Sequence, residues 1–191
     1  GHLPLAATLN AARDLDAAIA VLGCGYGELS DLALAAPPGA EGLTLLPYFE
    51  GERTPNLPDA RASLHGASLA NFTRTNFARA AIEGMLASQV VMVEAARACG
   101  VALNRLLLIG GAAKSAAVRK ILTQILDLPL SVPAPGEYVA AGAAVQAGGQ
   151  PTGGSASWTR RSRQFPASPI EPVIMAQHYN ARRALGYLHS E

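Results

Sequence analysis

Residues 104–115, NRLLLIGGAAKS, indicate the class of fold most clearly. The apolar run in this stretch, which ends at Ile109, predicts a buried strand. Gly110 and Gly111 follow at once, and because neither carries a side chain, the backbone there can turn sharply and approach a ligand. Ser115 is a typical helix N-cap, and apolar residues after it recur at helical spacing. Strand, tight turn and helix in this order are typical of nucleotide sites in α/β proteins.

Around this unit, helical and extended patterns alternate. Apolar residues three or four positions apart predict helices, and short apolar runs closed by proline or glycine predict strands. The predicted elements are a helix over 5–22, a strand over 43–46, a loop over 51–61, a strand over 63–69, a helix over 73–99, strands over 104–110 and 130–132, and helices over 115–126, 138–147 and 172–188.

Several glycines carry their own predictions. The cluster GCGYG, residues 23–27, is similar to a phosphate loop, but it follows a helix, and Glu28 stands where a third glycine would be expected. We interpret it as a helix C-cap and turn. Gly84 lies inside the longest helix, where glycine costs roughly 0.5–1 kcal/mol relative to alanine, so we expect another element to pack closely there. The small residues of 138–147 likewise predict close helix packing, and 148–157 is predicted to be a connector.

Composition excludes some classes of function. Lys and Arg total 15 against 14 Asp and Glu, which leaves a formal net charge of +1. Such a chain does not attract nucleic acid or an anionic membrane at long range, so we interpret Trp158 and the arginines at 160, 161 and 163 as a solvated loop. We find no apolar run of the roughly 20 residues that a spanning helix needs.

Cysteine and histidine positions predict neither a redox pair nor a metal site. Cys24 and Cys99 lie far apart without CxxC spacing, which is typical of a reducing cytoplasm. The histidines lack metal-ligand spacing, and we interpret all of them as ordinary surface or core residues. They are His2, His65, His178 and His189.

Four stretches in this order resemble the FGGY family of carbohydrate kinases. They are GLTLLPYFEGERTP (42–55), ARAAIEGML (78–86), LLLIGGAAKS (106–115) and AAGAAVQAG (140–148). The resemblance implies an α/β fold of the actin-like ATPase (ribonuclease H-like) class, as the incomplete C-terminal half of a two-domain sugar kinase. It implies a nucleotide-binding domain over 1–150, and a connector with a C-terminal helix of the same domain over 151–191.

Within that family the wording is most similar to the xylulokinase branch, through the GERTP loop, the IGG-x-AKS turn and the GAA helix. This implies transfer of phosphate from ATP, with Mg²⁺, to D-xylulose, giving D-xylulose 5-phosphate and ADP. Family members for ribulose, gluconate, fuculose or glycerol stay open as alternatives. No carboxylate in this chain matches the family's catalytic base, so we expect the isolated chain to be inactive. A non-catalytic nucleotide-binding or interaction module is the other alternative.

The resemblance implies nucleotide contacts at the glycine turn. Gly110 and Gly111 would approach the nucleotide through their backbone, and Ser115 would lie beside the adenine. Ala112 replaces a third glycine that the family commonly has, and alanine restricts positive φ. The alternative is that the two glycines merely form a tight turn before a helix capped by Ser115.

The helix over 5–22 should supply further nucleotide contacts, by the same resemblance. Where the family commonly has a glycine and, one turn later, a long polar side chain, this sequence has Ala12 and Asp16. The Ala12 methyl group and the Asp16 charge are both expected to weaken nucleotide binding.

Charged residues near the predicted cleft leave alternatives open. Glu52 and Arg53 could form an ion pair that shapes the mouth of the cleft, or Arg53 could face phosphate oxygens. Lys114 could neutralise phosphate charge or be merely solvated.

The first residue of the sequence, Gly1, is not Met, which is typical of a processed or truncated chain. If strands that belong before Leu5 are missing, an exposed sheet edge and self-association, as in a homodimer, are expected.

Overall fold

The computed structural model describes residues 5–152 and 161–187, which contain six helices and five strands. The helices are α1 (Ala12–Leu22), α2 (Tyr26–Ala35), α3 (Arg74–Ala98), α4 (Ala116–Ile125), α5 (Tyr138–Thr152) and α6 (Pro172–Ala184). The strands are β1 (Thr44–Leu46), β2 (Ser63–His65), β3 (Leu106–Leu107), β4 (Leu130–Pro133) and β5 (Ser162–Phe165). Short 3-10 helices cover Ala40–Gly42 and Gly111–Lys114.

The long helix α3 forms the centre of the core. Thr73 caps it by accepting a hydrogen bond from the backbone N–H of Asn76 at 3.2 Å, and Gly100 follows it with φ of 81°. These two ends confirm the predicted boundaries. The first half of α3 is buried around most of its circumference because α1, α2, α4 and β1 pack against it. The sequence pattern predicted one apolar face along all of α3, but only its second half is buried on one side.

Gly84 allows β1 to approach α3. A Cβ atom at Gly84 would lie 2.1 Å from the backbone oxygen of Leu45, closer than any real side chain could stand. The predicted close approach is confirmed, and the partner is a strand.

A buried ion pair one turn away ties α3 to its neighbours. Arg79 Nε donates to Glu83 Oε1 at 2.5 Å, and the backbone N–H of Gly39 donates to the same oxygen at 3.0 Å. Arg79 Nη2 also donates to Gln124 Oε1 on α4 at 2.9 Å. Burial raises the pKa of Glu83 in spite of the Arg79 charge, so the ion pair depends on these additional hydrogen bonds.

Two small sheets flank the helices. β1 and β2 are antiparallel, with Leu45 opposite Leu64. In the second sheet the order is β3-β4-β5, with β3 parallel to β4 and β5 antiparallel to it. Among the described residues β3 has a neighbour on one side only. The same holds for β5, so β3 and β5 are the two edge strands of this sheet in the described part of the chain.

Near the start of the chain one predicted helix is wrong in extent and another helix was not predicted. The helix predicted over 5–22 begins at Ala12, because Thr8 and Asn10 use their side chains to bond backbone and loop groups instead. Gly23 caps α1 in the left-handed conformation, with φ of 62°, which confirms the predicted C-cap. The next helix, α2, was not predicted, and Gly25 is its N-cap.

The predicted buried strand over 104–110 is short and partly exposed. Only Leu106 and Leu107 are in β3, and Leu107 is 57% exposed. By contrast, α4 buries Val118, Ile121, Leu122 and Ile125, as its spacing predicted.

The close packing expected for the small-residue helix is not seen within the described part of the chain. Val139 of α5 is 90% exposed, and a Cβ atom at Gly142 would meet nothing within 4 Å. The helix also continues to Thr152, into the segment predicted to be a connector, and 153–157 lie outside the described residues.

The predicted arginine loop contains a strand. Arg163 lies in β5, paired with Val132 of β4, and its guanidinium stacks over Phe165 at 5.1 Å from the ring centre. Trp158 and Arg160 lie outside the described residues, as do His2, His189 and the end of the last predicted helix. That helix, α6, ends at Ala184.

In the described ranges no single helix combines the length and apolar composition needed to cross a membrane. The pair α1 and α2 meets that test only when taken together, and it is bent by 86°.

Candidate functional site

Two cavities meet at the turn that follows β3. The helix pocket, about 540 Å³, lies between α1 and α2 on one side and the turn with the start of α4 on the other. The sheet-end cleft, about 700 Å³, lies beyond the ends of β3 and β4. Gly111 and Lys114 line both cavities. Both volumes lie in the range of roughly 300–1,000 Å³ that is typical of small-molecule sites.

The turn is built by its glycines and by the cap of α4. Gly110 has φ of 94°, a conformation that favours glycine, and it leads into the 3-10 helix Gly111–Lys114. Ser115 Oγ accepts a hydrogen bond from the backbone N–H of Val118 at 3.3 Å, so Ser115 is the predicted N-cap. Ser115 and Ala116 both line the helix pocket, so the N-terminal end of α4, with its positive dipole end, lies beside that cavity.

Ala112 fits this turn without strain. It lies in the 3-10 helix and has negative φ, so no third glycine is required. The expected conflict between alanine and positive φ does not arise. At Gly111 a Cβ atom would meet nothing within 4 Å, so a side chain there would extend into open space that the cavities share.

The structure brings together most of the predicted nucleotide residues. Those that line the helix pocket are Ala12, Gly111, Ala112 and Ser115. Gly110 lines the sheet-end cleft instead. Asp16 is not among the residues that line the helix pocket, and its carboxylate accepts a hydrogen bond from the hydroxyl of Tyr26.

Sequence reasoning missed Tyr26 and Asp31, which also line the helix pocket. Both lie on α2, and without that helix their place beside the turn could not be inferred. The apolar spacing of Leu29, Leu32 and Ala33 is the signal that indicates this helix. The hydrogen bond to Asp16 raises the pKa of Tyr26.

The GERTP loop is held by Glu52, but not through an ion pair. Glu52 is buried, and its Oε1 accepts a hydrogen bond from the backbone N–H of Arg53 at 2.6 Å. Its Oε2 accepts from Thr8 Oγ1 at 2.6 Å and from Asn10 Nδ2 at 3.2 Å. No ion pair joins the Glu52 and Arg53 side chains, both of which the structure describes. Glu52 shapes the loop by accepting hydrogen bonds, and the predicted pair is wrong.

Asp14 is buried close to this network. Desolvation, with a smaller effect of the Glu52 charge, raises the pKa of Asp14 to about 8. Its Oδ2 has no hydrogen-bond partner among the described residues. Asp14 therefore favours its protonated form at neutral pH.

Cations dominate the sheet-end cleft. Lys114, Arg119, Arg161 and Arg163 line it, against one carboxylate, Glu137. Arg119 Nη1 donates to the backbone oxygens of Ala113 and Lys114 at 2.7 and 2.8 Å, which closes the end of the 3-10 helix. The side of the turn away from the helix pocket is thus positively charged.

Metal ligands are not clustered in the described ranges, where no three His, Cys, Asp or Glu side chains stand close enough together to hold an ion. His65 Nε2 lies 2.9 Å from Ser63 Oγ, and His178 is buried in α6. Burial lowers the pKa of His178 to about 3, so it is neutral.

Comparison with known proteins gives consistent matches. The model of the C-terminal domain of the FGGY family of carbohydrate kinases matches residues 4–149. A xylulose kinase of Haemophilus influenzae is 35% identical over 147 residues, which are 77% of this chain and 30% of that protein. A xylulose kinase of Streptomyces rubiginosus is 34% identical over 191 residues, covering 97% of this chain and 37% of that protein.

A solved structure agrees with these matches. The crystal structure of xylulose kinase from Bifidobacterium adolescentis superimposes with a TM-score of 0.81 at 46% identity, over 92% of this chain and 35% of that one. The chain thus spans about a third of the length of its relatives.

Proposed function

The chain belongs to the FGGY family of carbohydrate kinases, with the actin-like ATPase fold of that family, and we propose that it forms the adenosine-binding side of an ATP-dependent sugar kinase. The observation that carries this proposal is the helix pocket, where Ala12 from α1 meets Gly111, Ala112 and Ser115 from the turn. These residues come from distant parts of the sequence and line one cavity.

The pocket suits a nucleoside. Gly111 exposes backbone to the cavity, and Ala12 and Ala112 present small apolar surfaces against which a purine ring can lie. Ser115 is partly occupied as the cap of α4, and its hydroxyl can still donate a hydrogen bond. Asp31 adds an acceptor at the exposed side.

Phosphates would extend from this pocket toward Lys114. Lys114 lines both cavities, and no ion-pair partner for it is found among the described residues. Its charge, with the N-terminal end of α4, favours a bound anion. The chain offers no cluster of carboxylates for Mg²⁺ in its described ranges, so we assign no metal ligands to it. When bound, Mg²⁺ would neutralise phosphate charge.

We propose D-xylulose as the phosphate acceptor, with D-xylulose 5-phosphate as the product. Two curated relatives and one solved structure that carry the name xylulose kinase support this choice. We assign no catalytic base to the described residues. Glu52, the buried carboxylate of the GERTP loop, is fully engaged in holding that loop.

Turnover of the complete gene product tests the proposal. ADP release with Mg-ATP should be fastest with D-xylulose and slower with D-ribulose, D-gluconate, L-fuculose and glycerol. The 191-residue chain alone, the paired control, should release no ADP above background. Faster turnover with another sugar would contradict the substrate, and turnover by the chain alone would contradict the division of roles.

A matched pair of variants tests the helix pocket in the same assay. A Cβ atom meets nothing within 4 Å at either Gly111 or Gly142, but only Gly111 lines the pocket. Gly111→Val should raise KM for ATP by about ten-fold or more, since a lost contact of about 1.4 kcal/mol is a factor of ten. Gly142→Val should leave KM for ATP unchanged. If both variants raise KM for ATP equally, the helix pocket does not support the proposed adenosine site.

A further inference from the structure

The side chain of Tyr26 is unusual among the aromatic residues of this chain. It is 61% exposed, yet its hydroxyl donates a hydrogen bond to the Asp16 carboxylate, and its residue lines the helix pocket. An exposed tyrosine gains little from burial, so ordering its ring needs a separate reason. The hydrogen bond to Asp16 supplies that order by joining the start of α2 to α1.

The surroundings of Tyr26 leave its ring accessible. Its neighbours in the chain are Gly25 and Gly27, which carry no side chains, and Tyr26 is 61% exposed. Neither flank of the ring is therefore covered by an adjacent side chain. Across the pocket lie the backbone and small side chains of Gly111, Ala112 and Ser115. Tyr26 and the turn therefore line one cavity of about 540 Å³.

We propose that Tyr26 stacks on the nucleobase and that Asp16 is the positioning residue that holds its ring in place. This inference rests on the proposed function, because it assigns a role within the same nucleotide pocket. It also gives Asp16 a task different from the phosphate repulsion expected from the sequence. Base stacking on an aromatic ring tolerates different bases, since every base has a π-face.

The chain contains a matched control for this pair. The hydroxyl of Tyr179 on α6 donates to the Glu94 carboxylate on α3. This second pair has the same chemistry and also joins two helices. Neither Tyr179 nor Glu94 lines the helix pocket.

The test is equilibrium binding of ADP, GDP and tripolyphosphate to the 191-residue chain by isothermal titration calorimetry. Tyr26→Ala should weaken both nucleotides by about ten-fold, because base stacking on an aromatic side chain is worth about 1–3 kcal/mol. Tripolyphosphate, which has no base, should bind Tyr26→Ala as it binds the unaltered chain. Tyr179→Ala should leave all three affinities unchanged.

Asp16 is tested by a double-mutant cycle. Asp16→Asn should weaken ADP by about three-fold in the unaltered chain and have no effect in a Tyr26→Phe background, where the hydroxyl is absent. The ultraviolet titration of tyrosine should also change, since loss of the carboxylate should lower the pKa of Tyr26 in Asp16→Asn. A merely structural role of Asp16 would weaken ADP equally in both backgrounds.

The results distinguish failure of the stacking role from failure of the proposed nucleotide-binding function. Failure of the unaltered chain to bind ADP would overturn both the proposed function and the stacking role. Normal ADP binding that Tyr26→Ala leaves intact, or an equal loss of tripolyphosphate binding, would overturn the stacking role alone. A base-specific loss in Tyr26→Ala supports it.

Discussion

Gly84 shows at the residue scale how one missing side chain sets the distance between two elements. A Cβ atom there would lie 2.1 Å from the Leu45 backbone oxygen, so Gly84→Ala must push β1 away from α3. We expect a loss of about 1–3 kcal/mol of unfolding free energy, typical of overpacking, in urea unfolding followed by circular dichroism.

The control for that change is Gly142→Ala. Gly142 is also inside a helix, but a Cβ atom there meets nothing within 4 Å. The gain in helix propensity should raise stability by roughly 0.5–1 kcal/mol. Equal losses in both variants would show that helix propensity, and not contact with Leu45, governs position 84.

Asp14 predicts a pH dependence of stability. Its folded pKa of about 8 lies above its ordinary value of 3.8, so between these values the native state binds more protons than the unfolded state. Stability contributed by this group is therefore present below pH 4 and lost as pH rises toward 8. Asp14→Asn should raise the free energy of unfolding at pH 8 by on the order of 1–3 kcal/mol, with little effect at pH 4.

Thermal unfolding at pH 4, 6 and 8 measures that effect, with the exposed Asp59 replaced by Asn as the control. The gain in Asp14→Asn should grow with pH, while Asp59→Asn should show no such trend. A loss of stability in Asp14→Asn at pH 8 would mean that the charged carboxylate is needed.

At the scale of elements, comparing the N-caps of α4 and α3 tells whether Ser115 only caps its helix or also contacts the ligand. Ser115 caps α4 and lines the helix pocket, whereas Thr73 caps α3 away from it. Ser115→Ala and Thr73→Ala should each cost about 1 kcal/mol of stability in urea unfolding. Only Ser115→Ala should also weaken ADP in calorimetry. If Ser115→Ala leaves the ADP affinity unchanged, Ser115 caps α4 but does not contribute to ADP binding.

Elements whose ends or spacing are set locally could be predicted from the sequence. Thr73 and Gly100 mark both ends of α3, and the buried side of α4 follows from its apolar spacing. The start of α1 could not be predicted, because Asn10 is held by the distant Gly51, whose backbone oxygen accepts from Asn10 Nδ2 at 2.6 Å. Long-range hydrogen bonds of this kind leave no periodic pattern.

The candidate site was predicted where its residues belong to the glycine turn and missed where they lie on α2. Ala12 and Ser115 line one cavity, although they are far apart in sequence, and their contact with a nucleotide stays a prediction. Tyr26 was missed because GCGYG was interpreted only as the end of one helix. Gly23 is the C-cap of α1 and Gly25 is the N-cap of α2, so the same cluster ends one helix and begins the next.

At the scale of the whole molecule, the edge strand β3 of the three-stranded sheet predicts self-association. Leu107 of β3 is 57% exposed and Ile109 is 50% exposed, beside the unpaired edge of that strand in the described structure. Exposed strand edges pair readily with other chains. Light scattering of the 191-residue chain should therefore show an apparent mass that increases with concentration.

Leu107→Lys should suppress that increase, because a charge on an edge strand opposes pairing. Leu69→Lys is the control, since Leu69 is fully exposed and outside the strands. If Leu69→Lys suppresses association as strongly as Leu107→Lys, general hydrophobicity, and not the strand edge, causes it. A clean monomer at high concentration would contradict the prediction altogether.

Amide resonances of the ¹⁵N-labelled 191-residue chain during titration with ADP show whether this chain carries the adenosine pocket. We predict saturable shifts centred on Gly111, Ala112, Ser115 and Tyr26. Absence of shifts at millimolar ADP, or shifts confined to the sheet-end cleft around Arg161 and Arg163, would contradict that assignment.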